Sequence, residues 1–186
     1  MNIDGIPTRT LRAHPERGAI DIIDQSRLPH ALHWLRVGTL DEAAHAIRAM
    51  QVRGAPLIGA TAAYGLAIGL NDQADDEHLN AAIDLLWKTR PTAVNLHWAL
   101  LRMSAVLTPL SPVARAAAAW KEAAAIAEED VAQNAAIGAH GVALFRQIKR
   151  RHGGSLNIMT HCNAGWLATV DGGTALAPVY AAHDVG

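Results

Sequence analysis

Cysteine is almost missing from this 186-residue sequence; Cys162 stands alone. One thiol excludes an internal disulfide framework and fits a reducing compartment, so a cytoplasmic location is expected. Aromatic residues are scarce, at 4%, and alanine is abundant. A core with so few rings has to be built from closely packed helices. Charge of either sign is in short supply. Lys and Arg number 16 against 17 Asp and Glu, for a net charge of −1. That balance offers no basic excess for nucleic acid and no polybasic flank for a membrane surface. Met1-Asn-Ile-Asp-Gly-Ile lacks the basic start and apolar stretch of a leader, so no signal peptide is expected. The longest apolar tract, Ala55–Leu70, is broken by glycines and too short to favour a membrane span. Hydrophobic residues nevertheless make up 51% of the chain, enough for a sizeable core. The length fits one domain, or one and part of another.

Along the chain, residues 5–40 read as a small antiparallel β unit, with strands at Ala19–Asp24 and His33–Val37. From Thr39 the pattern turns helical. Thr39 and Glu42 are spaced as a capping box, and Leu40, Ala43, Ala44, Ile47 and Met50 recur at helical intervals. Arg53-Gly54-Ala55 breaks this helix, and Pro56 suits the first turn of the next. Leu57–Leu70 is apolar on nearly every side and predicts a buried helix. Further helices are expected over Glu77–Lys88, Ala93–Leu107 and Pro112–Arg151. Gly138 and Gly141 in the last of these suggest a close helix crossing or a kink. His152-Gly153-Gly154-Ser155 reads as a linker, dividing a helical domain (1–151) from a second unit (152–186). That unit opens with an apolar run, Leu156–Met159, predicted as a strand. A small-residue loop and a helix from about Thr174 follow. In α/β folds such a layout places ligands beyond the carboxyl end of a strand.

Two arginines share a setting. Arg53 and Arg90 each precede a turn and a helix N-terminus, where free amides and the helix dipole favour an anion. The plainer reading is a solvated arginine beside a turn. Gly54, having no side chain, would let a ligand approach backbone amides. Cys162 ends the apolar run and opens the loop. Loop amides or a nearby positive charge would favour its thiolate, whereas a lone cysteine is also a common small buried hydrophobe. His30 and His33 form an HxxH without an acidic or cysteine partner at metal spacing, and no metal site is expected. His161, beside Cys162 on a strand, would face away from it. Glu128-Glu129-Asp130 reads as a solvated face. Gly172-Gly173-Thr174 is too degenerate to identify a phosphate site.

Several motifs gain meaning together. They are Val52-Arg-Gly-Ala-Pro-Leu-Ile-Gly59, Thr89-Arg-Pro-Thr-Ala-Val-Asn-Leu96, Asn134-Ala-Ala-Ile-Gly-Ala-His-Gly141, Thr160-His-Cys-Asn-Ala-Gly165 and Gly173-Thr-Ala-Leu176. In this order, from about Asp24 to Gly186, the chain resembles the methylthioribose-1-phosphate isomerase family of methionine salvage, an amino-acid biosynthetic route. The resemblance implies a helical domain followed by a Rossmann-like one, α/β overall, of which only the first strand and helix are expected here. It implies conversion of 5-methylthioribose 1-phosphate to 5-methylthioribulose 1-phosphate, with no cofactor and a homodimeric parent. It assigns Cys162 to catalysis and Arg53, Gly54, Ala55 and Arg90 to the substrate. The family's second acid/base group is an aspartate later in the chain, so residues 1–186 alone are expected to be inactive. Asp171-Gly172-Gly173 departs from many members and reads as loop variation. Related families leave two alternatives: ribose-1,5-bisphosphate isomerase, and a non-catalytic regulatory subunit of the translation initiation exchange-factor type.

Overall fold

Residues before Thr39 form two small antiparallel sheets, in a computed structural model that describes residues 1–186. Strands β1 (Asn2–Ile3) and β2 (Ile6–Pro7) make a short hairpin. Strands β3 (Leu11–His14), β4 (Ala19–Ile23) and β5 (Trp34–Val37) form a meander with β4 in the middle. The β-branched residues of β4 explain its place, since Ile20, Ile22 and Ile23 are fully buried. Its one outward acid, Asp21, pairs across the ladder with Arg36, at 2.8 and 3.0 Å, and with His14 at 3.0 Å. The expected β unit is therefore present, with one more strand and a hairpin added.

Six helices follow: α1 (Leu40–Arg48), α2 (Ala55–Gly69), α3 (Asp76–Trp87), α4 (Val94–Leu107), α5 (Pro112–His152) and α6 (Ala177–Asp184). The capping box forms as read: Glu42 N–H donates to Thr39 Oγ1, and Thr39 N–H donates to the Glu42 carboxylate, both at 3.1 Å. Helix α2 is the centre of the molecule. Leu57 through Ile68 are all buried, and α1, α3, α4 and α5 pack around them. At 41 residues, α5 is about 60 Å long, and its second half carries α6. Gly138 and Gly141 set that crossing: a Cβ at 138 would meet the Ala177 carbonyl at 3.2 Å, and one at 141 would strike Pro178. No helix is long and apolar enough to cross a membrane.

Two expectations need correction. Leu156–Met159 is not a strand. The segment from Ser155 to His161 has no ladder partner, and α6 begins at Ala177 rather than Thr174. An apolar run becomes a strand only when another strand's free edge lies beside it, and both sheets here are built from residues 2–37. The acidic cluster on α5 is not simply solvated. Glu128 pairs with Arg9, Glu129 takes both terminal nitrogens of Arg102 at 2.5 and 2.8 Å, and Asp130 accepts from the Val170 amide at 2.8 Å. One helical stretch thus ties the β unit, α4 and the loop after Cys162 together. The boundary expected at residue 152 coincides with the end of α5, and the residues beyond fold back onto α5 and α2.

Candidate functional site

The turn between α1 and α2, the turn between α3 and α4, and the loop after Cys162 meet at one cavity. Its volume is about 520 Å³, within the range of small-molecule sites. Arg53, Gly54 and Ala55 line it from the first turn, Arg90 and Thr92 from the second, Asn95 from α4, and Cys162, Asn163 and Thr174 from the loop. All five residues singled out from the sequence, Arg53, Gly54, Ala55, Arg90 and Cys162, therefore face the same space. Met50, Asn95 and Asn163 were not singled out, and Thr174 was weighed only within a Gly-Gly-Thr run too degenerate to count. The last three lie inside the quoted motifs, but nothing in their spacing marks them as cavity residues. His161 is exposed and does not line the cavity.

Two helices begin here without a side-chain cap, α2 behind Gly54 and α4 behind Ala93. Their first amides and their dipoles point a partial positive charge at the cavity. Neither Arg53 nor Arg90 takes part in an ion pair. Around Arg90 the turn is stiffened from both sides. The ring of Trp87 stacks on His97 at 3.8 Å, and Ala93 N–H closes onto the Arg90 carbonyl at 3.0 Å. No carboxylate lines the cavity, so the positive potential is not cancelled from within. A second cavity of about 480 Å³, lined by Arg9, Arg12, Tyr64 and Glu128, differs here, because Arg9 is already neutralised by Glu128.

Gly54 also has a part in the fold. Its φ is +93°, and the direction a Cβ would take is filled by Ala168. The missing side chain admits the loop that carries Cys162. That loop is anchored at its tip by three sequence-distant groups. Gln25 Nε2 donates to the Leu167 carbonyl at 2.6 Å, and Thr10 Oγ1 donates to the Thr169 carbonyl at 2.6 Å. Val170 N–H donates to Asp130 on α5. Asp130 sits above the usual carboxylate range, chiefly because burial disfavours its charge, while the Val170 and Asn134 hydrogen bonds pull the other way. The tip is fixed, and the two limbs of the loop bring Asn163 and Thr174 to the cavity wall. Cys162 itself is exposed, with a left-handed φ of +70°. The chemical equipment of the site is thus two free guanidinium groups, two helix N-termini and one thiol.

The chain is similar over almost its whole length to proteins already described. A methylthioribose-1-phosphate isomerase from Dechloromonas aromatica is 76% identical over the whole of this chain, which covers 51% of that protein. The crystal structure of 5-methylthioribose 1-phosphate isomerase from Pyrococcus horikoshii superposes with a TM-score of 0.82 at 34% identity, over 96% of this chain and 50% of that one. Translation initiation factor eIF-2B, subunit delta, from A. fulgidus superposes with a TM-score of 0.78 at 36% identity, over 97% of this chain and 52% of that one. The chain spans about half the length of the curated relatives it matches. The family model described as the initiation factor 2 subunit family covers residues 51–186, which takes in every residue of the cavity except Met50. The chain belongs to the initiation factor 2 subunit family.

Proposed function

We propose that the cavity binds 5-methylthioribose 1-phosphate and that these residues form part of an aldose–ketose isomerase acting on it. What carries the reading is the convergence of Arg53, Arg90 and two uncapped helix N-termini on the space that Cys162 faces. The phosphate takes bidentate hydrogen bonds from the arginines and further ones from the amides at the start of α2. This holds C1 and C2 of the sugar toward the thiol. The ring opens by cleavage of the bond between C1 and the ring oxygen, which gains a proton. A base then removes hydrogen from C2, an enediol forms, and a proton is delivered to C1 while the C2 hydroxyl becomes the ketone. Atoms and electrons are conserved. Cys162 is one acid/base group of this exchange. The cavity holds no carboxylate or histidine to serve as the other, so a polypeptide of these 186 residues is expected to bind the sugar without converting it. In longer relatives the second group, an aspartate, would come from a Rossmann-like domain to which residues 152–186 contribute. A homodimer belongs to the same proposal, and light scattering tests it.

Met50, Ile58 and Val94 give the cavity an apolar side. That favours a methylthio end over the second phosphate of ribose 1,5-bisphosphate. The likeness to the A. fulgidus subunit supports one other reading, a regulatory subunit that binds a ligand without chemistry. Calorimetry of the 186-residue chain with 5-methylthioribose 1-phosphate tests the first reading, together with alkylation of Cys162 by iodoacetamide. Binding should weaken tenfold or more in Arg53→Ala and in Arg90→Ala, and bound sugar should slow alkylation at least threefold. Binding without protection of Cys162 would favour the regulatory reading. Absence of binding would end both.

A further inference from the structure

We infer that Met50 sets the preference of this cavity for an apolar substituent at C5, an inference that rests on the sugar-phosphate reading above. Helix α1 ends in a complete Schellman motif. Met50 N–H donates to the Ile47 carbonyl at 3.3 Å, and Gln51 N–H reaches back to the Ala46 carbonyl at 2.9 Å. Both bonds require the residue between them to be left-handed, and Met50 has φ +56°. Glycine is the usual occupant of that position because any Cβ there is strained. The backbone around it is held firmly, since Gln25 N–H also donates to the Gln51 carbonyl at 2.9 Å. Met50 is thus kept in a conformation its own side chain opposes.

The side chain returns little to the fold. It is 48% exposed, so it is not a core residue, although Val52 two positions on is fully buried. What it does is line the cavity, three residues before Arg53, in the company of Cys162. Cys162 is the other strained non-glycine residue on this wall, and only Asp4, in the β1–β2 turn, shares the feature elsewhere. Strain retained at two points of one wall, by side chains that do not support the core, is characteristic of a binding site. A thioether is flexible and polarisable, suited to an irregular apolar contact. With Ile58 and the 76% exposed Val94, Met50 forms the surface against which a methylthio group packs while the phosphate sits on the arginines.

The test compares 5-methylthioribose 1-phosphate with ribose 1-phosphate by calorimetry on the 186-residue chain and on Met50→Gly, Met50→Ala and Met50→Leu. The wild type should bind the methylthio sugar about tenfold more tightly, the effect expected of burying so small an apolar group. In Met50→Gly and Met50→Ala the preference should fall below about threefold, with ribose 1-phosphate affinity within twofold of wild type. Met50→Leu should keep most of the preference. Met50→Gly should also raise Tm by about 2 °C or more, whereas Met50→Ala should not. A preference that survives in Met50→Gly overturns the inference and leaves the sugar-phosphate reading standing. A Met50→Gly chain no more stable than wild type overturns the strain argument and the inference with it. If the wild type binds neither sugar, the functional reading falls first.

Discussion

Replacing Asp130 measures how much the Cys162 loop depends on α5. One carboxylate oxygen accepts from Val170 N–H at 2.8 Å and the other from Asn134 Nδ2 at 3.0 Å. Val170 is 1% exposed, so Asp130→Ala leaves its amide without an acceptor and out of reach of water. An orphaned buried donor costs about 1–3 kcal/mol, and loss of the second bond adds to this. The expected destabilisation is therefore about 2–3 kcal/mol. Asp130→Asn differs. Its carbonyl oxygen still accepts from Val170, and its amide can donate to Asn134 Oδ1, which has no partner at present, once the Asn134 amide turns over. That turn gives up the 2.8 Å bond from Asn134 to the Asp130 carbonyl, so the expected loss is about 1 kcal/mol. The pH dependence has a definite sign. Burial raises the Asp130 carboxyl above its unfolded value, so its contribution is full below the unfolded value and is lost as pH rises through the folded one. Relative to wild type, Asp130→Asn should thus gain stability from about pH 4 toward neutrality. Urea unfolding followed by tryptophan fluorescence, with Trp166 in the loop itself, reads both quantities. An Ala variant within about 0.5 kcal/mol of wild type, the size of an ordinary surface substitution, would refute the anchoring argument. So would an Asn variant as damaged as the Ala one.

Other expectations follow from the same geometry. Gly54→Ala places a Cβ against Ala168 at a φ of +93° and should cost about 2–4 kcal/mol. Calorimetry on the folded fraction should show weakened phosphate binding. Arg115 is 2% exposed and donates to the Leu107, Ala74 and Thr108 carbonyls and to Asp76. Arg115→Met should lose about 3 kcal/mol in urea unfolding, most of it from stranded carbonyls rather than from the exposed Asp76. The Tyr64 phenol is pushed up to about 12, first by burial and then by the charge of Glu128. Ultraviolet titration should show a phenolate step near that pH that disappears in Tyr64→Phe. Its stabilising contribution should persist to pH 10 and fade as pH rises through 12.

Much of the fold was legible because its signals are local. Thr39 and Glu42 are three residues apart, and a capping box needs nothing else. The tract Leu57–Ile68 is apolar on every face, and only a central helix buries every face. Pro56 and Pro112 stand in the first turns of their helices. Most of the failures are matters of pairing, which a segment does not announce by itself. Leu156–Met159 has strand composition, but a strand is made by its neighbour. The four-residue β3 went unseen because its role is to pair with β4, which lies five residues further on. Glu128, Glu129 and Asp130 look like a solvated patch until their partners are known, and those lie 119, 27 and 40 residues away in sequence.

The same distinction separates the two kinds of site residue. Arg53 and Arg90 could be found from the sequence, since an arginine before a helix start carries its own local logic. The residues that bring Cys162 to them could not. Gln25 and Thr10 come from the β unit, Asp130 from α5, and each grips a carbonyl or amide of the loop rather than a recognisable side chain. Gly54 joins the two sets, because its bare Cα admits Ala168 and brings the thiol loop against the arginine turn. The α1–α2 turn thus has two constraints imposed on it at once, left-handed at Met50 by the end of α1 and left-handed at Gly54 by the approach of the loop. At position 54 the sequence relieves the strain with glycine. At position 50 it keeps a side chain instead, and that contrast within one turn is best explained if the Met50 side chain has work to do in the cavity.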